Sequence, residues 1–318
     1  MKVLSKKNIL IGAGLVLVYI IVQALIVTKI INPFYEITLA MICINIILAV
    51  SLNLVTGFTG QFSLGHAGFM AIGAYFGAII NMNMNSTAGF LAGIFAGALA
   101  AAAVGILIGI PTLRLKGDYL AIATLGMAEI IRVIFLNLEI TNGAAGLNGI
   151  PRFTNWTWLF IFTVASIVLI NNFLRSTQGR ACISIREDEI AAESMGINTT
   201  KYKVMAFAIG AFFAGTAGAL YSSYFYFIKP GLFGFLKSID ILVIVVLGGM
   251  GSITGSVIAA ILLALLTTFL QAFTEIRMIL YAALLVIIMI FRPKGIMGTR
   301  EITDMFNFKF GKREDRIQ

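Results

Sequence analysis

Apolar runs of about twenty residues, the length that crosses a bilayer core, recur along the chain between short polar breaks. They predict helical spans at 8–28, 34–55, 61–81, 88–113, 118–138, 156–173, 204–228, 239–250, 253–270 and 276–291. The eighth is short enough to be re-entrant, so its crossing needs separate support. The first follows Lys2, Lys6 and Lys7 as a secretory signal would, but it is too long and lacks a small-residue cleavage site. It reads as an uncleaved span. The expected architecture is all-α: one polytopic transmembrane domain over 1–318, about ten membrane segments, with glycine-rich broken helices. Its sizeable polar segments are a loop at 174–203 and a basic tail at 293–318.

Charge supplies the orientation. With the N-terminus in the cytoplasm and every segment crossing, Lys2, Lys6, Lys7, Arg114, Lys116, Arg175, Arg180, Arg186, Lys201 and Lys203 fall inside. The tail adds Arg292, Lys294, Arg300, Lys309, Lys312, Arg313 and Arg316, giving seventeen of the 23 lysines and arginines. The outer connections hold Lys29, Arg152, Lys229 and Lys237, the asymmetry that the positive-inside rule expects. Two basic, cytoplasmic termini require an even number of crossings, so the eighth segment is expected to cross.

Composition then closes off other classes. At 59% hydrophobic and 12% charged residues, the chain has too much apolar surface for a soluble domain. The net charge of +9 is accounted for by orientation and leaves no basic soluble face for nucleic acid. Cys43 falls in a span and Cys182 in the polar loop, and there is one histidine, so neither a disulfide nor a metal site is expected.

Two glycine-rich stretches interrupt the apolar pattern. "VTGFTGQFSLGHAGFMAIG" carries Gly57, Gly60, Gly65, His66 and Gly68, with Gly73 and Gly77 forming a GxxxG pair. "LGGMGSITGS" carries Gly248, Gly249 and Gly251 between two shortened spans. Irregular backbone at membrane depth survives only inside a bundle or beside water. Paired interruptions in two halves of a chain point to a central path through inverted repeats. These glycines therefore serve either close helix packing or the lining of such a path. His66 reads as a packing residue ahead of a proton relay, since no carboxylate is paired with it at helical spacing. Glu129 and Arg132, three residues apart on the fifth span, share a face that should meet the bundle or an aqueous cavity. They form either a self-paired bridge or a pair for the two ends of a zwitterion.

Within the polar loop, "SIREDEIAAESMGIN" predicts a short helix over 184–196, with Ser184 as cap, Glu187 completing a capping box and Gly196 as a left-handed stop. Ile185, Ala192 and Met195 give it a small apolar side. Ala191 and Ala192 followed by Gly196 are similar to the Ala-Ala-x3-Gly core by which bacterial import permeases engage their ATPases, although Ile190 stands where that motif usually has Glu. The segment is expected to dock on a partner. No G-x-x-x-x-G-K-[ST] occurs, so an ATP-driven process would need a separate subunit.

Taken together, "SLNLVTGFTGQFSLGHAGFMAIGAY", "LRLKGDYLAIATLGMAEIIRV", "GRACISIREDEIAAESMGIN", "VVLGGMGSITGSVIAA" and "FRPKGIMG" resemble the branched-chain amino acid ABC transporter permeases of the LivM type, over about residues 52–298. The resemblance implies a bacterial cytoplasmic-membrane importer subunit for leucine, isoleucine and valine. It implies a LivH-type permease partner, two cytoplasmic ATPases that bind ATP and magnesium, an extracytoplasmic binding protein, and no cofactor or catalytic residue in this chain. Permeases for urea, short amides or other small polar solutes are similar in the same motifs. A self-contained ion-coupled carrier using His66 or Glu129 is the alternative from another class.

Overall fold

The computed structural model describes residues 6–29 and 31–270, the isolated positions 283, 286 and 290, and the segment 295–298. Nine of the ten expected spans coincide with helices: α1 (Lys6–Val27), α2 (Pro33–Asn53), α3 (His66–Met84), α4 (Thr87–Thr112), α5 (Asp118–Asn137), α6 (Trp156–Arg175), α9 (Thr199–Phe225), α10 (Phe235–Gly248) and α11 (Ile253–Phe269). The short helices α7 (Thr177–Glu187) and α8 (Glu189–Ser194) lie between α6 and α9. Among the described residues, seven helices are long and apolar enough to cross a membrane, counting the extensions Pro33–Phe58 and Pro230–Gly248. Gly12–Val27 and Ile253–Phe269 are shorter. A polytopic helical protein is thus established at that count, and ten is not. The tenth expected span, and the tail apart from 295–298, fall outside the described residues.

Local chemistry sets the boundaries. Pro33 occupies the first turn of α2, where its missing N–H costs nothing. Ser86, Asn198 and Ser252 accept from Gly89, Lys201 and Gly255 N–H at 3.0 Å each, capping α4, α9 and α11. The third span starts later than the hydropathy indicates, at His66 instead of residue 61. The backbone before it takes partners that a helix does not use: Gln61 N–H donates to Val55 O (3.0 Å) and Leu64 N–H to the Thr124 hydroxyl (3.1 Å).

The centre of the bundle is α3, α4 and α9, brought together by small residues. A Cβ on Gly97 would lie 2.8 Å from Gly73 O, and one on Gly77 would lie 2.7 Å from the Ala219 methyl. The GxxxG pair therefore packs helices at close range, where dispersion replaces the hydrophobic drive that lipid does not supply.

The two ends of the bundle differ. At one, β1 (Leu147–Asn148) pairs antiparallel with β2 (Phe227–Ile228), and Arg152 lies over the Tyr224 ring at 4.9 Å. At the other lie α7, α8 and both glycine-rich breaks. The eighth expected span, now α10, starts beside β2 and ends at the second break, so it runs from end to end. α11 returns, its Thr268 hydroxyl 3.1 Å from that of Thr38 near the start of α2. The segment 295–298 is back at the α7 end: Ile296 and Met297 N–H donate to Leu247 and Gly248 O at 2.9 and 3.2 Å.

Candidate functional site

After Asn53 the α2 backbone widens into a π-helical turn, Leu54–Phe58. Such a turn leaves backbone groups to be satisfied from outside the helix. Asn53 organises the region. Its side chain is fully buried, its Nδ2 donates to Ser252 O and the Ser256 hydroxyl, and its Oδ1 accepts from Gly251 N–H, all at 2.8 Å. Gly57 packs directly on this amide and on Gly251 N, with no room for a Cβ. The two breaks that the sequence sets about two hundred residues apart are thus one structure, joined by the amide of Asn53. In the second break Gly249 and Gly251 take φ of 113° and 92°, a region that side chains rarely adopt.

The other candidate path residues divide into groups. Gly65 and Gly68 set α3 against α5: a Cβ on either would lie 2.8 Å from Thr124 O or 2.9 Å from Ala128 Cα. Gly60 packs against Arg186, and Gly248 packs against Gly255. His66 is buried, with Nε2 2.8 Å from the Ser51 hydroxyl. Ser51 donates its proton to Leu48 O (3.0 Å), so the imidazole is the donor to serine, and its geometry is that of a satisfied packing residue. Glu129 and Arg132 lie elsewhere. They are half-buried, paired to each other at 2.6 Å, and near Gly234 at the start of α10. The structure does not bring them to the breaks.

The polar loop is built differently from the sequence reading. The expected single helix over 184–196 is two helices with a break at Asp188. Ser184 lies in the last turn of α7, its hydroxyl donating back to Ala181 O (2.9 Å), and it caps nothing. Asp188 is the cap of α8, its Oδ1 accepting from Ile190 and Ala191 N–H at 2.9 and 3.0 Å. A carboxylate beside the positive end of a helix is the better cap, and the extended backbone of Asp188 (φ −155°, ψ 110°) fits that position. Glu187 pairs with Arg186 and so completes no capping box. The stop is as expected. Gly196 has φ +84°, its N–H donates to Glu193 O (2.9 Å), and Ile197 N–H donates to Ala192 O (3.1 Å), a Schellman arrangement.

Helix α8 is held from below and bare on top. Glu189 accepts from Lys203 at 2.6 Å and has Lys116 at 3.8 Å, and Thr199 donates to Glu193 at 2.7 Å. Ala192 is buried, whereas Ala191 and Gly196 are exposed. Met195, expected on the apolar side with Ile185 and Ala192, instead faces outward at 82% exposure beside Ile190 at 74%. From α7, Arg186 Nη1 donates to Gly57 O (2.9 Å), so the short helices grip the broken span directly. Cys182 is on the buried face of α7, its thiol pushed up to about 11 by burial against a smaller opposing effect of the Thr59 hydroxyl. A cavity of about 250 Å³ between the first break, the start of α5 and α7–α8 is lined by Gln61, Leu120, Arg186, Glu189 and Lys203. The buried Gln61 amide has no hydrogen-bond partner among the described residues.

Asn53, Arg186 and Gln61 thus join the candidate residues. The sequence signal for Asn53 is a lone amide at the end of an apolar run. Arg186 and Gln61 carry no spacing signal of their own.

Residues 32–289 match the family described as the branched-chain amino acid transport system / permease component. The chain is 38% identical over 292 residues to the high-affinity branched-chain amino acid transport system permease protein LivM of Salmonella typhimurium, covering 81% of this chain and 68% of that protein. It is 39% identical over 289 residues to LivM of Escherichia coli K12, covering 80% and 68%. It is also 28% identical over 289 residues to the permease protein LivH of Escherichia coli K12, covering 80% and 92%. No solved structure matches the chain.

Proposed function

The chain belongs to the branched-chain amino acid transport permease family, and from that premise we propose that it imports leucine, isoleucine and valine as one permease of an ABC importer. A LivH-type chain is its permease partner, because the same residues align with both kinds of relative. Two cytoplasmic ATPases hold ATP and magnesium, and an extracytoplasmic protein delivers the amino acid. The end carrying α7 and α8 faces the cytoplasm of a bacterial inner membrane, as do both termini. In support, Arg114, Lys116, Arg175, Arg180, Arg186, Lys201 and Lys203 all lie at that end, in the loops, in α7 or in the terminal turns of α6 and α9.

The observation that carries the mechanism is the chain of contacts from α8 to the broken span. An ATPase docks on the bare apolar face of Ile190, Ala191 and Met195. Its motion passes through the Asp188 cap to Arg186, and from Arg186 to Gly57 O in the turn that Asn53 locks to the second break. Alternating access then follows from opening and closing the joined breaks. Substrate passes beside them and along α5, where the half-buried Glu129–Arg132 pair opens to take the two ends of a zwitterion. A self-contained carrier finds no support in His66, whose ring is engaged with Ser51.

The test is purification from the native membrane in mild detergent, followed by identification of the accompanying subunits and ATP-dependent uptake of labelled leucine in proteoliposomes. Co-purification of a second permease and an ATPase, with leucine uptake, is expected. Leucine uptake by this chain alone, driven by an ion gradient, would overturn the proposal.

A further inference from the structure

A groove between α4 and α9 plays no part in the contacts described above. It is a shallow groove open to the outside, offering about 860 Å³. Ala102, Ile106 and Ile110 line one wall at a spacing of four residues, and Met205, Ile209 and Phe213 line the other. Each wall is an apolar stripe along one face of a helix.

The length of the groove distinguishes its occupants. From Lys201 to Phe213 the rise of α9 is about 18 Å at ~1.5 Å per residue. Half of a ~30 Å hydrocarbon core is ~15 Å, so the groove is one leaflet deep. A transmembrane helix of a partner would need a seat of twice that length. The two helices touch along the floor of the groove and beyond it towards the ribbon end: a Cβ on Gly105 would lie 2.8 Å from the Ala211 methyl, and one on Gly215 would lie 2.7 Å from the Ala101 methyl.

The polar end of the groove is positively charged. Lys201 lines the mouth and is exposed. Arg114, also exposed, follows Ile110 by four residues, just past the last turn of α4. Neither makes an ion pair among the described residues, in contrast to the nearby Lys203, which is held by Glu189. We infer that this groove is a binding site for an anionic phospholipid, with an acyl chain along Ala102, Ile106 and Ile110 and the headgroup phosphate at Lys201 and Arg114. Apolar walls alone give no preference among lipids, because every lipid offers the same chains. Selectivity comes from the two cations, each contributing about fivefold in affinity for an anionic headgroup.

The test is native mass spectrometry of the full-length chain, co-purified with its permease partner, in detergent doped with phosphatidylglycerol or with phosphatidylcholine of the same chain length. The expected result is a retained phosphatidylglycerol adduct, favoured over phosphatidylcholine by at least about tenfold. Lys201→Gln and Arg114→Gln should each reduce that preference about fivefold. Ala102→Phe, which fills the groove at the end lined by Phe213 and leaves both cations, should lose the adduct while the permease pair stays assembled. Equal retention of the two lipids by the wild-type chain would overturn the assignment. So would a phosphatidylglycerol preference that survives both neutralisations. A photo-crosslinker at Ile106 that captures another protein chain in native membranes, in place of lipid, would overturn it as well.

Discussion

Replacing Asn53 with alanine removes one amide and three hydrogen bonds from the joint between the two breaks. Ser252 O keeps other partners, because Ser256 N–H and the Ser256 hydroxyl both donate to it at 3.2 Å. Gly251 N–H loses the acceptor it has in Asn53, and an orphaned buried donor costs roughly 1–3 kcal/mol. Side-chain hydrogen bonds between membrane helices average ~0.6 kcal/mol each, so the two Nδ2 bonds add about 1 kcal/mol. The sum is about 2–4 kcal/mol. Thermal unfolding of the purified chain in mild detergent should show a midpoint lower by at least about 4 °C, taking ~2 °C per kcal/mol. Asn53→Asp should be worse, because it keeps the acceptor for Gly251 but sets a carboxylate against Ser252 O. A midpoint for Asn53→Ala within a degree of wild type would refute the view that this amide joins the breaks.

Arg186→Ala removes the bond from α7 to Gly57 O and should lower leucine uptake by at least about tenfold, as expected for a charge-assisted bond, while insertion is normal; radiolabel uptake in proteoliposomes measures it. Asp188→Ala should destabilise α8 by about 1 kcal/mol and speed amide exchange at Ile190 and Ala191 about fivefold, whereas Ser184→Ala should leave both amides unchanged. Cys182, with its thiol pushed up to about 11, should be about one part in a hundred thiolate at pH 9, where a free thiol is half ionised. Alkylation by iodoacetamide should therefore be slow in the folded protein at pH 9 and rapid after denaturation.

What could be read from the sequence follows the range of the forces involved. Nine span positions were legible because hydrophobic length is local information, recorded in each run of residues. The start of α3 was not, because Thr124, about sixty positions away, supplies the acceptor for Leu64. Gly196 was legible as a stop, since a left-handed residue is needed within one turn of the helix end. The start of α8 was misread because Ser184 and Asp188 both suit a cap, and the local pattern does not record that α7 already occupies Ser184. The pairing of the two glycine breaks was suggested by their composition, but the Asn53 bridge that joins them exists only in three dimensions. Glu129 and Arg132 were legible as a pair, and their separation from the breaks was not.

The central claim is that α8 receives the ATPase and passes its motion to the broken span. Its most direct test is a cysteine at Met195, whose outward exposure makes substitution harmless to the fold, in the transporter assembled with its ATPases. The account predicts a short-range crosslink from residue 195 to an ATPase subunit. It also predicts that Met195→Glu lowers substrate-stimulated ATP hydrolysis while the permease pair remains intact. No crosslink to any ATPase, together with wild-type hydrolysis by Met195→Glu, would contradict it.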